Sequence, residues 1–201
     1  MTVEVDTRTR ILTAAVACVG RAGLDKTSLE DVAQEAGLSR ATVYRYFEGG
    51  RDQLVADAVA WEVANYLARL GAATAPEPDL EAKLVRGLLF GHRAIDEHAL
   101  LQRLLSTERD VLLPNLRSVM PMMERLVRTA IRAELETVAV RPEVDRDDAA
   151  DYLTGLFLSY LGSPGRWDLD DEDSVRRLVR TQFLAGIVPR ATDVTGENPW
   201  Q

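Results

Sequence analysis

The most informative segment of the chain is TSLEDVAQEAGLSRATVYRYF, residues 27–47. Ser28, followed three residues later by Asp31, is typical of a capping box with Asp in place of the usual Glu or Gln. Apolar residues then recur at the i, i+3, i+4 and i+7 spacing of one helix face: Leu29, Val32, Ala33 and Ala36. The pattern predicts a helix from Ser28 to Ala36.

A tight turn and a further helix follow. Gly37 can adopt the left-handed backbone conformation that ends a helix sharply, and Ser39 is a good N-cap for a helix running to Phe47. Val43 and Phe47, one turn apart, are expected to bury this helix against its neighbours. The other side chains would then face outward: Arg40, Ala41, Thr42, Tyr44, Arg45 and Tyr46.

That outward face has the chemistry of a DNA-reading surface. Small residues at its start, Ala41 and Thr42, let the helix approach base edges closely. Arginine can bond guanine or phosphate, and tyrosine hydroxyls can donate to phosphate oxygens. A short helix, a glycine turn and a second helix form the groove-reading unit of helix-turn-helix proteins. The alternative is an ordinary three-helix packing motif with a solvated outer face.

The rest of the chain also has helical periodicity and no sustained alternation, so we expect an all-α protein. Gly71 to Asp79, with two prolines, is the best candidate boundary between two parts. Pro114 and Pro121 are expected to bracket a broken region. Further helices are predicted over Thr7–Ala22, Asp52–Leu70, Leu80–Ile95, Leu100–Leu105, Met122–Val138, Asp147–Leu161 and Asp171–Val188.

The segment from Arg10 to Leu54 resembles the TetR family of bacterial regulators. The matching elements are Ser28, Val32-Ala33, Ala36-Gly37-Leu38-Ser39, Ala41-Thr42, Tyr44 and Phe47. The resemblance implies an N-terminal three-helix helix-turn-helix domain (1–54), a helical effector-binding and dimerisation domain (55–188) and a flexible tail (189–201). Family members usually carry a phosphate-binding lysine shortly after the Phe. Here Arg51 stands in that region, and we predict that it contacts DNA together with Ser28, Ser39 and the outward face.

The resemblance also implies a second copy of the chain and a small-molecule effector. Apolar stripes on the last two helices make them candidates for a dimer interface, built from Leu153, Leu156, Phe157, Tyr160, Val175, Leu178, Val179 and Phe183. From periodicity alone these stripes could equally face their own subunit's core. Candidate lining residues of an apolar effector pocket are Trp61, Tyr66, Phe90, His92, Arg93, Met120 and Met123. The expected DNA partner is a palindromic operator.

Composition excludes several other classes. The net charge of −8 does not itself support nucleic-acid binding, but residues 39–51 hold three arginines against one acid. One cysteine excludes an internal disulfide and disfavours a transition-metal site. Nucleophile, phosphate-loop and dinucleotide motifs are absent, so we expect no enzyme and no cofactor. With no secretory signal and no apolar run long enough for a membrane span, we expect a cytoplasmic protein.

Three hypotheses follow. The first is a homodimeric repressor that leaves its operator when a small molecule binds. The second keeps the fold but makes the regulator constitutive or dependent on a protein partner. The third, a helical enzyme, lacks any paired acid–base or nucleophile constellation.

Overall fold

The computed structural model describes residues 6–189, and within that range it contains helices and no strand. This confirms the expected all-α architecture. The helices are α1 (Thr7–Ala22), α2 (Leu29–Ala36), α3 (Arg40–Tyr46), α4 (Gly50–Thr74), α5 (Leu80–Asp96), α6 (Ala99–Thr107), α7 (Arg109–Leu135), α8 (Arg146–Gly162) and α9 (Glu172–Leu178), followed by a π-helical turn (Val179–Phe183). No helix in residues 6–189 is both long and apolar enough to cross a membrane.

The first three helices share one core with the start of α4. Its largest fully buried side chains include Ile11, Val32, Val43, Phe47 and Leu54. Burying an aliphatic or aromatic side chain of this size contributes roughly 1.5–3 kcal/mol. The predicted stripe on α2 therefore packs inward as expected, and it sets which side of α3 remains outside.

A second cluster ties α1 and α4 to α6 and α7. Val19, Leu24 and Val55 pack with Leu104 and Leu112. Polar contacts reinforce this cluster at the end of α1. The Arg103 guanidinium donates to the carbonyls of Val19 and Gly20, each at 2.8 Å. The Glu108 carboxylate accepts from the amide of Asp25 at 2.9 Å.

The chain divides into two compact units. One comprises residues up to 66 together with 96–121, and the other comprises 67–95 together with the described residues from 122 onward. The predicted boundary after residue 54 does not coincide with this division, because residues 96–121 pack with the N-terminal helices. A functional division at residue 54 stays a prediction.

The expected break between Pro114 and Pro121 is wrong. Both prolines lie inside α7, which runs without interruption from Arg109 to Leu135. Both prolines are exposed, and a buried stripe runs along the helix on either side of them. The stripe consists of Leu112, Val119, Val127, Ile131 and Leu135. Side chains also bond backbone carbonyls near Pro114: Asn115 Nδ2 donates to the Val111 oxygen at 2.8 Å. Packing therefore outweighs the lost backbone donors.

The last predicted helix, Asp171–Val188, is also different. Asp171 is the N-cap, α9 ends at Leu178, and the π-helical turn follows. The amide of Leu184 donates to the Val179 carbonyl five residues earlier, at 3.0 Å. Apart from Pro189, the tail predicted over 189–201 lies outside the described residues.

Candidate nucleic-acid interface

Local hydrogen bonds build the α2–turn–α3 unit as the sequence predicts. The Ser28 hydroxyl accepts from the Asp31 amide at 3.1 Å, and the Asp31 carboxylate accepts from the Ser28 amide at 3.3 Å, so the capping box is complete. The Ser28 hydroxyl also donates to the Asp31 carboxylate, at 2.5 Å. This bond, together with the one from the Ser28 amide, lowers the pKa of the Asp31 carboxyl below its usual value, because both stabilise the charged form.

Gly37 and Ser39 form the corner between the two helices. Gly37 has φ 62° and ψ 38°, the left-handed conformation expected of it. The next amide, that of Leu38, donates to the Ala33 carbonyl at 2.9 Å. Ser39 then caps α3, its hydroxyl accepting from the Thr42 amide at 3.1 Å. The turn is held by satisfied backbone groups, so it presents α3 at a defined angle.

The predicted burial of the inward side of α3 is confirmed. Val43 and Phe47 are each 0% exposed and belong to the core shared with α1 and α2. Tyr46, which we predicted to face DNA, is partly buried and packs against this core. The guanidinium of Arg45 lies 5.7 Å from the Tyr46 ring centroid. Tyr46 therefore has less of its surface exposed than Tyr44 and Arg45 do.

The outward side carries the side chains that the sequence indicated. The Arg40 side chain is 73% exposed and Tyr44 is 47% exposed. Ala41 and Arg45 are also exposed, and Thr42 is partly buried. Ser28 and Ser39 use their hydroxyls as helix caps. Contacts of these residues with DNA stay predictions.

One residue of this face was missed by the sequence analysis. Glu30, on α2, reaches across to α3: its Oε1 accepts from the Tyr44 hydroxyl at 3.2 Å and lies 3.9 Å from Arg40 Nη1. Arg40 and Tyr44 are one turn apart on the same helix. Nothing in the spacing of Glu30 within α2 signals this contact, because it depends on how the two helices cross.

Arg51 makes contacts within the protein that its predicted role in binding phosphate did not include. Its Nε donates to the Thr27 carbonyl at 3.0 Å, and Nη2 makes a short bond to the carbonyl of Leu24. Nη1 lies 3.4 Å from Asp52. The guanidinium thus ties the α1–α2 loop to the start of α4. Its predicted contact with phosphate stays a prediction, and it would have to use the donors that remain.

The candidate effector residues are divided between the two compact units. Trp61, Tyr66 and Met120 belong to the first unit, where Trp61 packs against the core around Phe47. Phe90, His92, Arg93 and Met123 belong to the second. In that unit Asp170 lies 3.9 Å from His92 Nε2 and 3.7 Å from Arg93 Nε. The effector pocket stays a prediction.

The candidate dimer residues are mostly core. Six of the eight are at most 4% exposed within the subunit: Leu153, Phe157, Val175, Leu178, Val179 and Phe183. Leu156 and Tyr160 are partly buried. Side chains that are buried within the subunit have little surface left for a partner, and the dimer interface stays a prediction. On the outward side of α8, Tyr152 is 51% exposed.

Residues 11–58 match the model of bacterial regulatory proteins, tetR family. An uncharacterised HTH-type transcriptional regulator of Mycobacterium tuberculosis is 32% identical over 101 residues, which cover 50% of this chain and 45% of the relative. The chain thus spans about half the length of the curated relatives it matches.

Solved structures share the fold over most of the chain. A TetR-family regulator from Mesorhizobium loti, described as putative, has a TM-score of 0.62 at 21% identity, covering 94% of this chain and 100% of its own. The SmeT–triclosan complex has a TM-score of 0.56 at 20% identity, covering 95% and 96%. The matched family is one of transcriptional regulators, not enzymes. The helix-turn-helix segment, residues 11–58, is therefore similar to that of the TetR family of bacterial regulatory proteins.

Proposed function

We propose that the chain is a homodimeric, cytoplasmic repressor that holds a palindromic operator through α3 and leaves it when a small molecule binds. The observation that carries this is the orientation of α3. Val43 and Phe47 are fully buried, so Arg40 and Tyr44 project outward from the same helix face. A helix presented in this way fits a major groove about 12 Å wide.

The second copy is supported by the demands of a two-fold DNA site. Recognition helices of a dimer must lie about 34–36 Å apart to enter successive major grooves. The outward side of α8, with Tyr152 and Leu156, is the surface we propose for this contact. The Tyr152 hydroxyl donates to the Gln182 carbonyl at 2.9 Å, which holds the ring over the π-helical turn.

The effector is supported by a structural neighbour, since SmeT was solved as a complex with triclosan. That compound belongs to SmeT, and the effector of this chain is proposed only as a small apolar molecule. A coupling of roughly 1–3 kcal/mol between effector and operator would weaken DNA binding about 5- to 150-fold.

The test begins with selection of duplexes from random DNA by the purified protein. Arg40→Ala and Tyr44→Ala are then compared with wild type on the selected duplex, with Arg125→Ala, an exposed arginine of α7, as the control. We expect Arg40→Ala to cost about 1–3 kcal/mol and the control to bind as wild type. Wild-type affinity in both α3 variants would refute the assignment of the outward side of α3 as the DNA-reading surface.

The dimer is tested separately by sedimentation. Leu156→Asp is expected to shift the protein to monomer, and Leu126→Asp, which places the same charge at a 50% exposed leucine of α7, is expected to leave the assembly unchanged. An unchanged dimer in Leu156→Asp would remove this surface from the proposal.

A further inference from the structure

Glu30 places an acidic side chain beside the surface of α3 that we propose to bind DNA. No acidic residue lies within α3, yet Glu30 of α2 contacts two of the three long, exposed side chains of that helix, Arg40 and Tyr44. Its negative charge repels phosphate, so it lowers the affinity that any DNA backbone would have for this face.

The contact changes what Tyr44 can do. A phenol has one hydrogen to donate, and the Tyr44 hydroxyl gives it to Glu30 at 3.2 Å. While that bond stands, Tyr44 offers DNA only an acceptor and cannot donate to a phosphate oxygen. The donation to phosphate that the sequence suggested would require this bond to break.

The contact leaves Arg40 with more freedom. The guanidinium has five N–H donors, and the 3.9 Å approach to Glu30 engages only the Nη1 side. Two parallel donors remain available for the O6 and N7 atoms of guanine. Arg40 therefore keeps donors for a base edge, while the Glu30 carboxylate 3.9 Å away offsets part of its positive charge towards phosphate.

We propose that Glu30 is a specificity-determining residue beside the outward side of α3, an inference that rests on the proposed function. It orients Arg40 and Tyr44 towards base edges and weakens complexes that depend on phosphate contacts alone. A competing explanation is that Glu30 only stabilises the first turn of α2, where the helix dipole favours an acid.

The experiment compares Glu30→Gln with Glu48→Gln, a matched loss of charge at an exposed acid just beyond α3. Affinity is measured for the duplex selected by the wild-type protein and for a shuffled duplex of equal composition, over a range of salt. Gln keeps an acceptor for Tyr44 but removes the charge. The shuffled duplex is expected to bind Glu30→Gln about threefold to fivefold more tightly than it binds wild type, because freeing one exposed arginine has an effect of that order.

The selected duplex is expected to gain less, so the ratio of selected to shuffled affinity falls by up to about threefold to fivefold in Glu30→Gln and stays at the wild-type value in Glu48→Gln. The salt dependence of shuffled-DNA binding steepens by roughly one phosphate contact. In an Arg40→Ala background the same Glu30 change is expected to have a smaller effect, since the two side chains act together.

The outcomes separate the two proposals. An unchanged ratio in Glu30→Gln, or an equal fall in Glu48→Gln, overturns the role of Glu30 while leaving the regulator intact. A fall in thermal stability without a change in the ratio supports the helix-dipole explanation and likewise overturns it. A wild-type protein that does not prefer its selected duplex refutes the proposed function itself.

Discussion

Replacing Arg103 by Met should loosen the end of α1 from α6. The guanidinium donates to the carbonyls of Val19 and Gly20 at 2.8 Å each, at a helix C-terminus where positive charge is favoured. Hydrogen bonds to a charged group each contribute about 1.5–3 kcal/mol. Met retains much of the apolar stem, so the variant isolates the polar contacts.

Two features of the structure reduce the loss in the free energy of unfolding that Arg103→Met should cause. The Val19 carbonyl keeps a second donor, the Gly23 amide at 2.9 Å, so it is not left unsatisfied. Arg103 Nε is buried without a hydrogen bond, and the substitution removes that unfavourable group. We therefore expect a net loss of about 2 kcal/mol, below the sum of two charged hydrogen bonds.

Urea unfolding measures the effect. Trp61 packs against the core of the first three helices, so its fluorescence reports on that core once Trp167 and Trp200 are replaced by Phe. With a denaturant slope of about 2 kcal/mol per molar urea, the midpoint should fall by about 1 M. Arg117→Met, at an exposed arginine of α7, is the control. Equal midpoints in the two variants would refute the reasoning.

Three further outcomes are expected. Ser28→Ala should lower the free energy of unfolding by about 1 kcal/mol, because the helix cap is lost. Since Ser28 lowers the pKa of Asp31, this loss of stability should be complete above the ordinary pKa of 3.8 and should become smaller as the pH falls below it. Urea unfolding at pH 7 and at pH 3 would measure the two values. Gly37→Ala should lower the free energy of unfolding by about 1–2 kcal/mol, because φ is 62° at this position and alanine disfavours that conformation. Calorimetry should show a melting temperature lower by about 2–4 °C per kcal/mol. An unchanged melting temperature would contradict the left-handed turn. Burial raises the pKa of the Cys18 thiol, so a disulfide reagent at pH 8 should react quickly only in urea, and prompt reaction of the folded protein would contradict its burial.

The caps and the corner of the helix-turn-helix could be predicted because their causes are local. Ser28 and Asp31 lie three residues apart and bond each other's backbone amides, so the sequence itself contains both partners. Gly37 likewise needs no distant residue to adopt its conformation. The buried pair Val43 and Phe47 follows from helical spacing alone.

The prolines of α7 show where local reasoning fails. Pro114 and Pro121 disfavour a helix because they remove backbone hydrogen-bond donors, and the local sequence reveals only this unfavourable effect. The compensating burial of residues along the helix depends on surfaces contributed by distant parts of the chain. The same reason explains the last two helices, where periodicity identified apolar stripes such as that of Leu153 but could not say whether they face the subunit's own core or a second copy.

The sequence was enough to predict the all-α class, the caps of α2 and α3, the glycine corner and the resemblance to the TetR family, since each depends on patterns within short segments. Tertiary structure alone decided that Glu30 meets Tyr44 and Arg40, and that Arg51 bonds the carbonyls of the α1–α2 loop. Those contacts arise from the crossing of helices, and a side chain's partner across such a crossing is set by packing geometry that no spacing along the chain encodes.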